Sequence, residues 1–327
     1  MPPARTMART QHVSVNTVRR AYQELEKDGF IQCKGDDTAI VISHSSGQGR
    51  ISERQKSIPP HSPPGMTPSF FYEPIEKREL DDQLIKVYQI QMNLLPQKLP
   101  ENELISVIAH CHPSHIVEGD FYDCIPIDED KYCFVIADAC GNGLPAAMLI
   151  SQTQAILKSE LNNGNGIKQI LERMNRQIVQ YTPKDRFVTL FFGILDTATR
   201  EFQYANAGHN YPALMRSNGT YERLQTGGLA LGMFFEATYE VGRLSLGDGD
   251  ILLFFTDGLT EIMDDSQQEY GEHRLINTLA RCRYENAKSI LSKVLKDVRD
   301  FAAKGSQHDD CAIMVVKVGH NLSAKSV

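Results

Sequence analysis

The chain has 327 residues, 41% hydrophobic and 23% charged, which excludes a disordered tail and leaves room for one large domain plus something smaller. Its longest apolar runs, such as Ile251 to Phe255 and Tyr132 to Ala137, fall far short of the roughly 18 residues of a membrane span, so no transmembrane helix is expected. A net charge of −7 argues against a protein whose main task is wrapping nucleic acid or coating an anionic membrane, without excluding a small DNA-reading module.

The N-terminus, Met-Pro-Pro-Ala-Arg, lacks the apolar core of a secretory signal, and a cytoplasmic location is expected. Helical periodicity follows in Asn16 to Lys27, with Val18, Tyr22 and Leu25 on one face and Gly29 as a stop. Phe30 to Ile42 reads as a hairpin turning at Gly35-Asp36-Asp37. From Ser43 to Pro68 the composition shifts to Ser, Pro, Gly and Gln, the signature of a linker. Leu80, Leu84, Val87, Gln91 and Leu94 then recur at alternating spacings of four and three, and Pro96 ends the run. Such a stripe fits pairing of two chains into a homodimer and packing onto the chain's own domain equally well.

Beyond Ile105, strand-like runs alternate with helical blocks. Tyr132–Ala137 reads as a buried strand, Leu144–Leu161 as a helix with Pro145 in its first turn, and Ile167–Tyr181 as a second helix. Phe187–Leu195, Glu201–Asn206 and Tyr211–Arg216 read as successive antiparallel strands, with a turn signal at Asn218-Gly219. Asp250–Thr256 and Cys311–Val318 are apolar strands, and Ala287–Ala303 between them is an amphipathic helix. Strands grouped around helix pairs predict an α+β layered domain.

Three of these strands carry an aspartate at an end: Asp138, Asp257, and Asp309 with Asp310. A carboxylate at the rim of a buried strand is held by rigid backbone, which suits it to bind a hard cation through oxygen. Gly141, Gly143 and Gly258 follow closely and are expected to allow tight turns with space for a metal and a phosphate. A fourth acid, Asp120, lies in Glu118-Gly-Asp-Phe-Tyr-Asp. Taken singly, each such aspartate is more often a turn or capping residue; together they form a constellation.

Six separated motifs carry a resemblance. Glu118-Gly-Asp-Phe-Tyr-Asp, Asp138-Ala-Cys-Gly-Asn-Gly-Leu-Pro-Ala-Ala, Phe187-Val-Thr-Leu, Tyr204-Ala-Asn-Ala-Gly-His, Phe255-Thr-Asp-Gly-Leu-Thr-Glu and Asp309-Asp310 occur in the order of the SpoIIE/RsbU-like branch of the PPM metal-dependent protein serine/threonine phosphatases. The resemblance spans about residues 94 to 318. It implies an α-β-β-α fold, a β-sandwich flanked by helices, with two Mn²⁺ or Mg²⁺ ions at one edge. By motif position, Asp138 would bridge the ions and the Ala139 carbonyl would bind one. Asp257 and Asp309 would complete the other site, with Asp120 nearby directly or through water. The implied substrate is a phosphorylated signalling protein, often a small anti-anti-sigma protein in that branch.

Other chemistries lack their signatures. None of the seven cysteines, Cys33, Cys111, Cys124, Cys133, Cys140, Cys282 and Cys311, has an arginine six positions later, which removes the thiol-phosphatase route. They form an odd set without C-x-x-C pairs, and reduced thiols are expected. No P-loop or kinase glycine loop is present. Glu118 stands where many relatives have glycine and adds negative charge beside the acids. Cys140 stands where the branch often has serine and eukaryotic members have a histidine general acid; a small buried filler is expected, with solvent as the proton source. His110, His112 and His115 crowd one segment, yet in a strand His110 and His112 share one face while Cys111 faces the other. His209 is expected to position its loop.

At the N-terminus, Asn16-Thr-Val-Arg-Arg-Ala-Tyr resembles the recognition helix of a GntR-type winged helix-turn-helix, which would place Asn16, Thr17, Arg19 and Arg20 near DNA. The resemblance is partial: the family's first helix has no counterpart, and six Lys/Arg against five Asp/Glu over residues 1–42 give little pull toward DNA. The expected organisation is therefore a partial winged helix at 1–42, a linker at 43–72, a connecting amphipathic helix at 73–98, a PPM-type domain at 99–318 and a tail at 319–327. The leading expectation is a phosphatase; the alternative is a DNA-binding transcriptional regulator with a phosphatase-like sensory domain.

Overall fold

The computed structural model describes residues 77–112, 116–183, 185–302 and 310–319, with Val18, Tyr22 and the segments 31–33 and 39–41. Val18 and Tyr22 are helical and buried. β1 (Ile31–Cys33) pairs antiparallel with β2 (Ala39–Val41), Ile31 facing Val41, as the hairpin reading expects. Asn16, Thr17, Arg19 and Arg20 lie outside the described residues, as do the linker, His115 and Asp309.

Helix α1 (Lys77–Leu94) stops just before Pro96, whose ring cannot continue a helix. It docks by its C-terminal end. Gln91, within the predicted stripe, is buried, and the Leu94 carbonyl accepts a hydrogen bond from Gln154 Nε2 at 2.9 Å. Ile85 and Ile90 remain exposed.

The domain is a sandwich. β3 (Ile105–His112), β4 (Asp120–Pro126), β5 (Lys131–Ala139), helices α2 (Gly143–Leu161) and α3 (Ile167–Tyr181), β6 (Val188–Asp196), β7 (Glu201–Ala207), β8 (Ala213–Met215) and β9 (Tyr221–Arg223) follow in order. Then come β10 (Gly227–Gly228), β11 (Gly242–Ser245), β12 (Ile251–Phe255), the short α4 (Asp257–Thr260), α5 (Gly271–Cys282), α6 (Ala287–Phe301) and β13 (Cys311–Val318). One sheet runs β10-β7-β6-β5-β4 with β11 beside β7, and the other runs β3-β13-β12-β8-β9.

Alternation of side chains explains why the central strands are apolar throughout. In β5, Phe134 and Ile136 enter the space between the sheets, against Phe191, Phe202 and Phe254. Cys133, Val135 and Ala137 face the opposite way, onto Leu157, Leu171, Met174 and Ile178 of α2 and α3. In β12, Leu252 and Phe254 point between the sheets while Ile251, Leu253 and Phe255 meet α5 and α6. With both faces of each sheet covered, no polar face is needed, and the layers stack α-β-β-α as expected.

Most predicted elements sit within a residue or two of their place. Tyr211–Arg216 shortens to Ala213–Met215, and Gly219, at φ +92°, makes the turn into β9. Helix α5 was not foreseen: Leu275, Ile276, Leu279 and Cys282 form its buried face, but its start carries no side-chain cap. Helix α6 does have one, with Asn286 Oδ1 accepting from Ser289 N at 2.8 Å. Among the described residues no helix is long and apolar enough to cross a membrane, and the six described cysteines are free thiols.

Candidate metal centre

The site begins with strand register. β4 and β5 pair antiparallel so that Asp120 lies directly opposite Asp138, and Thr189 of β6 flanks Asp138 on its other side. Directly opposed residues hold their Cβ atoms about 5 Å apart, so two like charges there oppose pairing unless something positive joins them.

The second sheet adds its acid at the same edge. β12 ends at Phe255, and buried Thr256 follows. Its hydroxyl donates to Asp120 Oδ2 at 2.7 Å and accepts from Ala312 N at 2.9 Å, so one side chain fastens β4 of one sheet to β13 of the other. Asp257, 8% exposed, opens α4 directly after it. Thr256 belongs to a quoted motif, yet sequence reasoning gave it no role; a hydroxyl between an apolar strand and an acid is the only signal for it.

Of the acid pair before β13, Asp310 is described and buried, and its Oδ2 accepts from Gly119 N at 2.6 Å. Asp310 thus ties the Glu118–Asp120 segment to β13, a role the sequence did not suggest. The Gly119 carbonyl also accepts from Ala139 N at 2.9 Å. A Cβ on Gly119 would stand 3.2 Å from that of Ala146, which accounts for glycine there. The Ala139 backbone is consequently held at the centre of the constellation.

The turn from β5 into α2 uses Gly141 at φ +91° and Gly143 at φ +65°, as expected. Gly258 does not share this behaviour. It lies within α4 and has no positive φ, so the tight-turn expectation is corrected there: the chain winds into a helical turn at once, which any residue accommodates.

Glu118 is 2% exposed; Cys111 Sγ donates to its Oε2 at 2.9 Å while Oε1 has no hydrogen-bond partner. Its carboxyl is pushed up to about 7, chiefly by burial, with the Cys111 bond opposing and the Asp310 charge adding. The main chain of Glu118 is gripped from outside the sandwich: Gln91 Oε1 accepts from its N–H at 3.1 Å and Gln91 Nε2 donates to its carbonyl at 3.0 Å.

The expected bystanders take structural places. Cys140 is buried, its sulfur accepts from Phe187 N at 3.1 Å, and burial pushes its thiol up. Such a group is a poor nucleophile. His209 Nδ1 lies 2.9 Å from Thr189 Oγ1, and the Asn206 side chain bonds both the N–H and the carbonyl of His209. That clasp holds the Asn-Ala-Gly-His turn against the strand carrying Thr189. His110 and His112 stack on one face of edge strand β3, ring centroids 6.2 Å apart, while Cys111 turns inward to Glu118.

Do the donors fit hard cations? The acids that the motifs bring to this edge, Asp120, Asp138 and Asp257, offer carboxylate oxygen, and with the Ala139 carbonyl they make up the donor set Mg²⁺ and Mn²⁺ prefer. Among the described residues no three His, Cys, Asp or Glu side chains are gathered tightly enough to hold an ion unaided. The described acids come from both sheets, and the apposed Asp120 and Asp138 with the unpartnered Glu118 oxygen fit a positive group.

Comparison with known proteins agrees with this fold. The family model described as Stage II sporulation protein E (SpoIIE) matches residues 128–319. Protein IcfG of Synechocystis sp. is 28% identical over 261 residues, covering 72% of this chain and 41% of that protein. Phosphoserine phosphatase RsbU of Bacillus subtilis is 28% identical over 251 residues, covering 74% of this chain and 71% of RsbU. The chain therefore spans only about two fifths of the length of IcfG. Among solved structures, the SiaA-PP2C domain of Pseudomonas aeruginosa aligns with a TM-score of 0.66 at 18% identity, over 73% of this chain and 97% of that one. RsbX in complex with magnesium aligns at 0.53 and 16% identity, over 68% of this chain and 99% of RsbX. At such identities the structures speak for the fold alone, a PP2C-like arrangement of sheets between helices. The family model covers more than half of the sequence, and the chain belongs to the SpoIIE family.

Proposed function

We propose that this protein is a metal-dependent phosphatase that hydrolyses phosphoserine or phosphothreonine on a partner signalling protein. The observation that carries the reading is the cross-strand apposition of Asp120 and Asp138 at the edge where the other sheet delivers Asp257. In this reading Asp138, the Ala139 carbonyl, Asp257 and Asp309 would hold two Mn²⁺ or Mg²⁺ ions, with Asp120 beside them. Ions held there would supply an activated water and positive charge to offset the phosphate oxygens.

The chain's own contribution is positioning. Thr256 orients Asp120 through its 2.7 Å hydrogen bond, and the Asp310–Gly119 contact fixes the loop before it. Buried Cys140 does not serve as the acid, so the leaving group takes its proton from solvent. The magnesium complex of RsbX and the phosphoserine phosphatase named RsbU support metal dependence and substrate class. An anti-anti-sigma-type phosphoprotein in the cytoplasm is the partner we propose. The alternative of a DNA-binding regulator is not favoured, because the family match lies in the phosphatase-like part.

The test is hydrolysis of p-nitrophenyl phosphate with Mn²⁺, comparing wild type with Asp257→Asn. Loss of turnover in the variant is expected; equal rates in the two proteins overturn the assignment.

A further inference from the structure

Five exposed apolar side chains lie on elements that adjoin the turn following Asp138. Leu144 is 40% exposed, Met148 67%, Tyr181 66%, Phe234 45% and Phe235 54%. Topology brings them to one end of the molecule. Leu144 and Met148 stand one turn apart on the first turns of α2, which begins directly after the Asp138–Asn142 turn. A short connection folds α3 back along α2, so Tyr181 at the end of α3 returns to the same end.

Phe234 and Phe235 reach that end on a loop that is firmly held. Fully buried Asn175 of α3 donates to the Phe234 carbonyl at 2.7 Å and to that of Phe235 at 3.3 Å, and accepts from Gly232 N at 2.9 Å. Met233 packs against Cys140, Phe187 and Ala230, so the loop abuts the turn that follows Asp138. Gly232 is squeezed beside Ile178 and the Arg186 carbonyl, which fixes the loop's path further.

Arg186 completes the rim. Its Nη1 donates to the Cys140 carbonyl at 3.1 Å, and a Cβ on Gly141 would lie 2.4 Å from that nitrogen. The glycine therefore leaves the guanidinium lying over the turn. Among the described residues no carboxylate forms an ion pair with it, and it is half-exposed. A planar cation with donors to spare, at the mouth of an acid-rich site, suits a phosphate oxygen.

We infer that Leu144, Met148, Tyr181, Phe234 and Phe235 form the docking surface for an apolar patch of the phosphoprotein substrate, with Arg186 receiving its phosphate. The inference rests on the phosphatase reading. A rigidly held aromatic pair, an adaptable methionine and a polar border are what protein-recognition surfaces concentrate, whereas a small phosphate ester needs none of them. The occupant is the substrate rather than a second copy, because the patch is continuous with the turn carrying Asp138, and anything resting on it must present its phosphate there.

The test compares kcat/KM with Mn²⁺ on three substrates: p-nitrophenyl phosphate, a phosphoserine peptide with Leu and Val flanking the phosphoserine, and the same peptide with Ser and Gly in their place. Wild type is expected to prefer the apolar-flanked peptide by about tenfold, through KM, and the double variant Phe234→Ser with Phe235→Ser to lose that preference. The double variant keeps its rate on p-nitrophenyl phosphate within about twofold, and Arg186→Ala raises KM for all three substrates by about tenfold or more. Equal treatment of the two peptides by wild type overturns the docking surface while leaving the phosphatase reading intact. So does an equal fall on all three substrates in the double variant, which marks a structural role, or a halving of mass in light scattering, which assigns the patch to self-association. Failure of wild type on p-nitrophenyl phosphate strikes the underlying reading instead.

Discussion

Asp250 and Asp138 both sit at the end of a buried apolar strand, and in the sequence they look alike. Their neighbours differ. Asp250 accepts from Ser217 N at 3.0 Å, from Gly247 N at 2.8 Å and from Arg216 Nη1 at 2.9 Å, so donors and a counter-charge are built into the fold. Asp297 follows the same plan, with two bonds from Arg274 and one each from Tyr270 and Thr278. Asp138 instead faces another carboxylate across the β4–β5 ladder. Donors and a counter-charge around an aspartate stabilise the fold, whereas two carboxylates set face to face across a ladder oppose it unless a positive group joins them.

The widest gap between these classes is expected at Asp138→Asn. Turnover of p-nitrophenyl phosphate should fall by about 1,000-fold or more, while the metal-free protein melts no lower than wild type, because a like-charge apposition is relieved. A lower metal-free melting temperature would erase the contrast. Asp250→Ala should behave in reverse, losing about 3 kcal/mol in urea unfolding by stranding Arg216 and two backbone donors, with turnover per folded molecule retained.

Thr256→Val sharpens the boundary, since its hydroxyl serves both sheets. Leaving Ala312 N without its partner should cost about 1–2 kcal/mol, and releasing Asp120 should weaken Mn²⁺ binding by about tenfold in calorimetry. The smallest effect concerns pH. The Arg274 bonds, first among several donors, hold the Asp297 carboxyl well below the usual carboxylate range. A depressed folded pKa means that the unfolded chain binds the proton more readily, so this stabilisation is present above about pH 4 and is lost as pH falls. With Asp297 partly exposed, the expected share is about 1 kcal/mol, read as a shallower acid-unfolding limb in Asp297→Asn.

Asp138 and Asp257 stand out in the residue order because strand position and motif position agree there, whereas the donors that set Asp250 apart do not show in it. Helices Leu144–Leu161 and Ile167–Tyr181 were readable because their apolar faces repeat with helical period. Asp120 is another matter: it lies outside the matched span 128–319, and the pairing with Asp138 together with the Thr256 hydroxyl brings it to the site. Thr256 and Asp310 were invisible as positioning residues, since their bonds span 136 and 191 residues, and no local pattern encodes a contact of that reach. Gly258 was misread for the complementary reason. A glycine after an acid suggests a turn, but whether the next φ is positive depends on what the chain does afterwards.

Gln91 has a further consequence. Both the N–H and the carbonyl of Glu118 are satisfied by one side-chain amide from α1, where a neighbouring strand would ordinarily supply ladder partners. If α1 lifts away, two main-chain groups lose their partners two residues before Asp120, so the opening of this loop is energetically inseparable from the detachment of that helix. In hydrogen exchange, the Glu118 amide should keep pace with the release of α1 rather than with the slow core of the sandwich.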